Sequence, residues 1–289
     1  MKKHIGKFAD VAALSAAVVQ NAISRPFVAL TEDNDKVVYG PKLDLAKVGD
    51  IAVYGVAEDQ IYYIKQANYN TTDFPTADYV PIGVVCRNQR QDIVTFQNED
   101  VRVMGLKWPN KNDPDNGAMS YDQGDTVLHY ASEFTPYRAY SSLEDALSDM
   151  DGRANSQKVI EQITLPEDWK TMSTLTPSAD RRYGYPYCLA WRYKTPGTEH
   201  GDWYIPAAGE LRDVVEDSEL FGLLNSSLVL VGGARYVKTS TLYLYMPLTS
   251  SWVKGNQVIT GSSTLSVAGP QISGFSRAIC SLAITELKK

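Results

Sequence analysis

The stretch Gly201-Asp202-Trp203-Tyr204-Ile205-Pro206-Ala207-Ala208-Gly209-Glu210-Leu211 constrains the fold of this chain more than any other. An aromatic pair runs into a proline, and an apolar stripe at helical spacing, Leu211, Val214 and Val215, follows at once. The sequence therefore predicts a strand end that turns sharply into a helix opening at Ala207 and Ala208, with Glu210 in its first turn. Trp203 reads as the large apolar plug such a turn needs, and Glu210 as a partner for the helix N-terminus or for an internal hydrogen bond.

At 289 residues, the chain is long enough for two domains or for one domain with an attachment arm. Its net charge of -6, with no run of Lys or Arg, argues against a nucleic-acid grip, which needs clustered cations to displace counterions from phosphates. Cys86, Cys188 and Cys280 are odd in number and far apart, which reads as buried free thiols rather than a disulfide framework or a metal site. Met1-Lys2-Lys3 before the apolar run Val11 to Val19 does not read as an export signal, because Asp10 interrupts its approach and no cleavage pattern follows. No apolar stretch approaches the length of a membrane span.

In chain order, residues 8–22 place Phe8, Val11, Leu14, Val18 and Val19 at helical spacing, and Arg25-Pro26 ends the pattern. Phe27-Val28-Ala29-Leu30 and Lys36-Val37-Val38-Tyr39 then flank an acidic turn as a hairpin. This 1–42 segment is too small to hold a core alone, so it is expected to be an attachment and oligomerisation arm, with Phe8, Val11, Leu14, Val18 and Phe27 as its contact residues. Residues 43–108 read as a small all-β barrel or sandwich, with strands over 51–56, 60–65, 80–85, 93–97 and 101–106. Pro81 to Val85 is apolar throughout, as in a strand buried on both faces. Residues 109–149 form a connector, in which Asp113, Asp115 and Asn116 lack the spacing of a calcium loop and Ser142 is placed to cap a short helix. Asn155 or Ser156 is placed to cap the next helix, with Val159, Ile160 and Ile163 on its apolar face, and Tyr187 to Tyr193 is a further helix-like segment. Past Glu219 the character changes: Leu228 to Val231 leads into Gly232-Gly233, and Thr241 to Met246 alternates like a half-buried strand. Segments 250–253 and 276–282 read as two more strands.

The order Asp151-Gly152-Arg153-Ala154-Asn155-Ser156, a helix, the DWYIP-AAGEL turn, Leu248-Thr249-Ser250-Ser251-Trp252 and Phe275-Ser276-Arg277-Ala278-Ile279 resembles C-type-lectin-like domains of bacterial and phage surface proteins. The resemblance covers residues 150–289. The Glu-Pro-Asn, Gln-Pro-Asp and Trp-Asn-Asp motifs of calcium-dependent lectins are absent from the sequence. The front half, from Phe8-Ala9-Asp10-Val11 through Val37-Val38-Tyr39-Gly40-Pro41 to Val48-Gly49-Asp50 and Pro81-Ile82-Gly83-Val84-Val85, is similar to the N-terminal parts of virion fibre proteins from phages of Bacteroides, including the crAss-like phages. These resemblances imply an α+β protein: a helix-hairpin arm, a small β-domain and a C-terminal lectin-like domain facing outward from the particle.

Between Glu219 and Glu286 the sequence holds no Asp, Glu or His. That half of the lectin-like region offers no carboxylate pair for glycoside hydrolysis, no imidazole for base chemistry and no hard ligands for calcium. The expectation is therefore a non-enzymatic virion fibre subunit with no cofactor and no metal. Its expected partners are copies of itself, as a dimer or trimer, other virion proteins, and a host-surface glycan or protein; nucleic acid and membrane are not among them. Tyr236, Tyr243, Tyr245, Trp252, Asn256 and Gln257 are the candidate ligand-binding residues, aromatic faces beside amide hydrogen-bonding groups. Two other readings remain open at this point, a purely structural capsid or tail decoration protein and a bacterial surface adhesin.

Overall fold

The computed structural model describes residues 3–8, 13, 27–31, 36–40, 46–88, 101–106, 127–129, 137–163, 165, 167–170, 185–233, 235–236, 246–254, 256–260, 265–267, 271–275 and 277–287. These residues form a mixed α+β structure around a seven-stranded sheet. Its strands are β4 (Ile51–Gly55), β5 (Gln60–Ile64), β6 (Tyr79–Asn88), β7 (Val101–Gly105), β9 (Trp203–Tyr204), β14 (Ile279–Leu282) and β15 (Thr285–Glu286), in the order β15-β5-β4-β6-β7-β14-β9. All neighbours are antiparallel except β15, which runs parallel to β5.

Two adjacent rows across this sheet explain how it holds helices on both faces. Val84, Met104, Ile279 and Tyr204 sit opposite one another on four successive strands, and so do Val85, Val103, Cys280 and Trp203. Successive residues of a strand point to opposite faces, so the two rows enter two different cores. The first row packs with Leu211, Val214 and Val215 of helix α4 (Ala208–Glu216) and with Leu224 and Leu228 of helix α5 (Ser218–Leu230). The second packs with Val159 of helix α2 (Gly152–Ile160) and with Tyr187 and Ala190 of helix α3 (Tyr185–Arg192). Burial on both sides is the reason Pro81 to Val85 reads as a continuous apolar run. Register shifts against β4 and β7 let Ile82 and Val85 share one core while Val84 and Cys86 share the other.

A short helix α1 (Leu143–Ala146) begins at Ser142, whose hydroxyl accepts from the Asp145 N–H as its spacing predicts. The stretch between α5 and β14 supplies most of a second, five-stranded sheet. Its strands are β8 (Val127–His129), β10 (Met246–Val253), β11 (Asn256–Thr260), β12 (Leu265–Val267) and β13 (Gln271–Phe275), in the order β12-β11-β10-β13-β8. In the arm, β1 (Lys3–Phe8), β2 (Phe27–Thr31) and β3 (Lys36–Gly40) make a three-stranded sheet.

Several expectations change at this point. Phe8 ends β1 rather than opening a helix, and β1 runs parallel to β2. A parallel pair cannot be joined by a tight turn, and Ala13, which is helical, lies in sequence between the two strands. The β2-β3 hairpin stands as expected. Residues 43–108 and 150–289 do not separate into two units: β14 lies on β7, β15 lies on β5, and each core draws on both segments. Helix α2 starts at Gly152 with Asp151 as its N-cap, so Asn155 and Ser156 lie inside it and turn their polar groups inward. Residues 218–230 are helical, capped by the Asp217 carboxylate on the Glu219 and Leu220 N–H groups. The expected strand 93–97, the Asp113–Asn116 loop and most of the 241–246 strand lie outside the described residues.

Because β14 completes its pairing on β7 and Ile279 packs beside Val84 and Met104, a 150–289 fragment lacks half of its own sheet. We expect that fragment to show no cooperative thermal transition by circular dichroism, whereas the full chain does. A sharp transition of the isolated fragment would overturn the shared-sheet account.

Candidate functional site

Helix α4 opens with an alanine at its N-cap, and Ala207 has no side-chain oxygen to receive the first N–H groups of the helix. Other residues supply those acceptors. The Ala207 N–H donates to Glu210 Oε2 at 2.8 Å, the Ala208 N–H to Ser251 Oγ at 2.7 Å, and the Gly209 N–H to the Asp149 carbonyl at 2.9 Å. Three of the four stretches that carry the lectin-like resemblance, 151–156, 202–211 and 248–252, thus meet at one helix end, with Asp149 just before the first of them.

Asp149 is the hub on the near side. Its Oδ2 accepts from Ser251 Oγ and from Asn155 Nδ2, each at 2.8 Å, and its Oδ1 accepts from the Asp151 N–H at 3.0 Å. The Ser250 N–H donates to the Pro206 carbonyl at 2.8 Å, and Asn155 Nδ2 also reaches Ser250 Oγ at 3.3 Å. Ser156 Oγ accepts from the Ile205 N–H at 3.1 Å and donates to the Ile205 carbonyl at 3.3 Å, fixing the strand end before the proline. All of these side chains are buried.

Glu210 is the hub on the far side and is 1 % exposed. Arg102 of β7 donates Nε to Glu210 Oε1 at 2.6 Å and Nη1 to Ser281 Oγ at 2.6 Å, and the Tyr204 hydroxyl donates to Glu210 Oε1 at 2.9 Å. Burial raises the Glu210 carboxyl above its ordinary value, against the opposing pull of Arg102, the Ala207 N–H and Tyr204. Burial and then the Glu210 charge push the Tyr204 phenol well up. Two glycines let the backbone close on this network. A Cβ on Gly152 would run into Glu210 Oε2 and lie 2.6 Å from the Ala207 nitrogen, and one on Gly209 would lie 2.5 Å from the Asp149 carbonyl oxygen. Trp203 is fully buried as expected, with Nε1 donating to Thr198 Oγ1 at 2.9 Å and its ring edge-on to Tyr193 at 4.8 Å.

This polar network serves structure: its groups face one another and the backbone. Asp149 carries no local signal in the sequence, whereas Arg102, between Val101 and Val103 in an apolar strand, already asks for a buried acidic partner. Among the described residues, no group of three or more His, Cys, Asp and Glu is arranged to hold a metal ion, and no helix is long and apolar enough to cross a membrane.

The candidate ligand-binding residues divide. Tyr236 is a core residue, not part of an exposed face. It is 2 % exposed, its hydroxyl lies 3.3 Å from Thr260 Oγ1, its N–H donates to Asn225 Oδ1 at 2.7 Å, and its ring meets Phe221 edge-on at 6.1 Å. Trp252, Asn256 and Gln257 are brought together by backbone register, since β10 and β11 pair Trp252 with Gln257 and Val253 with Asn256. They sit at the tip of a hairpin with a two-residue turn, in which Lys254 takes φ 48°. Tyr243 and Tyr245 lie outside the described residues. Of the arm residues, Phe8 and Phe27 sit in β1 and β2, and Val11, Leu14 and Val18 lie outside the described residues.

Comparison with family models, with curated proteins and with solved structures finds no match.

Removing one partner of the Arg102–Glu210 pair leaves a buried charge. Arg102→Met alone is expected to cost about 3–5 kcal/mol in chemical denaturation, and Arg102→Met with Glu210→Met less than the sum of the two single changes. Additive costs would show that the two residues do not act as a pair. Cys86, Cys188 and Cys280 are buried, with burial pushing the Cys86 thiol up to about 12 and the Cys280 thiol well up. An aromatic disulfide reagent at pH 8 is therefore expected to titrate no thiol in the native chain and three after denaturation.

Proposed function

We propose that this chain is a non-enzymatic subunit of a phage virion fibre. It is anchored and oligomerised through residues 1–42 and presents its C-terminal lectin-like part to a glycan or protein of the host surface. The observation that carries the reading is the meeting of the three motif stretches at the N-terminus of α4. Asn155, Glu210 and Ser251, residues of the resemblance that could do chemistry, are occupied in holding the fold, as is Asp149 beside them. The β10–β11 hairpin tip lies downstream, in the stretch without Asp, Glu or His, and carries an aromatic side chain type beside two amides. Such a composition suits contact with sugar hydroxyls or a protein surface and does not suit bond cleavage.

Residues 1–42 support the anchoring half of the reading. A sheet of three short strands is too small to be stable alone, and it gains stability from copies of itself or from neighbouring virion proteins. The net charge of -6 is in keeping with protein or glycan partners rather than nucleic acid.

The test uses the full chain, since the C-terminal segment shares its sheet with residues 51–105. We expect binding to host cells or to a glycan array that persists under chelation and is lost on Trp252→Ala with unchanged thermal stability. Mass spectrometry of purified particles is expected to find the chain in the virion. A chain present in particles but without binding would leave the structural decoration role, and a chain on the bacterial surface but not in particles would leave the adhesin.

A further inference from the structure

The exposed face of α5 is a largely apolar surface, bordered by Gly49 beside Leu223 and by the exposed Gln66 side chain, whose Nε2 donates to Ser226 Oγ at 2.9 Å. Leu223, Val229 and Leu230 are 41 %, 47 % and 50 % exposed, and Gly222 and Ser226 lie exposed between them on the same side of the helix. Helical periodicity makes these positions one strip, while Leu224, Ser227 and Leu228 face the core. A Cβ added at Gly222 would meet nothing within 4 Å, so the centre of the strip is open to an approaching surface.

We propose that this strip is a contact between two copies of the chain, with their α5 helices packed antiparallel about a two-fold axis. Charge selects the occupant. The only charge on the strip is Glu219, in the first turn. Arg235 is exposed beside the C-terminal half of the helix, held there because the next residue, Tyr236, donates its N–H to Asn225 of α5. Neither side chain forms an ion pair among the described residues. Antiparallel packing sets the Glu219 end of each helix alongside the Arg235-bearing half of the other, twice per dimer. Parallel packing would set Glu219 against Glu219. The same arrangement aligns each helix dipole against its opposite. A two-fold contact also asks for a self-complementary patch, and an apolar strip flanked by one charge of each sign is one. Gly222 lets two helix axes approach closely, the exposed Gln66 side chain swinging off Ser226 as they do, with Leu223, Val229 and Leu230 filling the sides. Its apolar part is Leu223, Val229 and Leu230, against roughly 20–30 residues a side in a standard interface, so the contact is a weak, concentration-dependent one that gains from any other link between the copies.

This inference is separate from the arm and from host binding, and its test separates them. Ser226→Cys in the full chain places one exposed thiol at the centre of the strip, the three native cysteines being buried. Mild oxidation is expected to give a covalent dimer on a non-reducing gel, while Glu58→Cys, exposed on the β4–β5 turn, gives none. Leu223→Glu with Leu230→Glu is expected to abolish the concentration-dependent step in sedimentation without changing the thermal midpoint. Glu219→Lys is expected to weaken association about threefold, and Glu219→Lys with Arg235→Glu to restore it. If Ser226→Cys yields no dimer, or if association is indifferent to the Leu223 and Leu230 changes, the proposal fails, whatever the arm does.

Discussion

The opening of helix α4 is the constraint on which the rest depends. A helix that starts on Ala207 brings no acceptor of its own, yet its first N–H groups lie buried and each must find a partner. They are satisfied by three separate pieces of chain: Glu210 from the helix itself, Ser251 from β10 and the Asp149 carbonyl from the turn before α2. A strand, a helix and a loop from distant parts of the sequence are thereby fixed to one point. The second, five-stranded sheet is joined to the first body of the protein through the same contact, because β10 carries both Ser250 and Ser251.

Using Glu210 as an acceptor creates a second demand. A carboxylate at that depth requires neutralisation, and Arg102 provides it from the middle of the seven-stranded sheet. Buried pairs of this kind add little to net stability compared with a well-packed apolar alternative, but they penalise wrong arrangements strongly. Here the pair links β7, α4 and, through Ser281, β14. A register slip of β14 on β7 would strand the guanidinium without Ser281 and separate the residues of the Val84-Met104-Ile279-Tyr204 row. Polar and apolar terms thus specify the same register, and that agreement is what lets a sheet with such distant sequence segments assemble in one way.

The local elements of this fold were largely legible in the sequence, and the way they join was not. Alternation and turn residues marked β4 to β7 within a residue or two at most ends, Ser142 marked its helix, and the DWYIP-AAGEL turn was recognisable with Trp203 in the core and Glu210 at the helix start. Strand pairing across more than 170 residues leaves no local trace, so the union of β7 with β14 could not be read from either strand. Helix α5 is hard to read because its apolar residues, Leu223, Val229 and Leu230 among them, extend onto the exposed side and blur the helical period. Asn155 and Ser156 resembled caps because their side chains commonly serve there; in this fold their partners, Asp149 and Ile205, come from elsewhere. Tyr236 shows the same limit for sites: an aromatic near a candidate loop is read as a contact residue until its Thr260 partner is known.

The distribution of charge follows from these two networks. Acidic side chains with structural roles, Asp149, Glu210 and Asp217, all precede Glu219, and the chain from there to Glu286 builds its strands with hydroxyls, amides and apolar groups alone. Within β10, Thr249 and Ser251 satisfy their neighbours with hydroxyls, Thr249 donating to the Val258 carbonyl and Ser251 to Asp149. A hairpin built this way needs no buried carboxylate of its own to hold its register, and it meets the lock at α4 through Ser250 and Ser251. The tip itself is tied back to the rest of the chain, since Val253 is buried and bridges to Tyr140, whose carbonyl accepts from the Lys254 N–H at 3.1 Å.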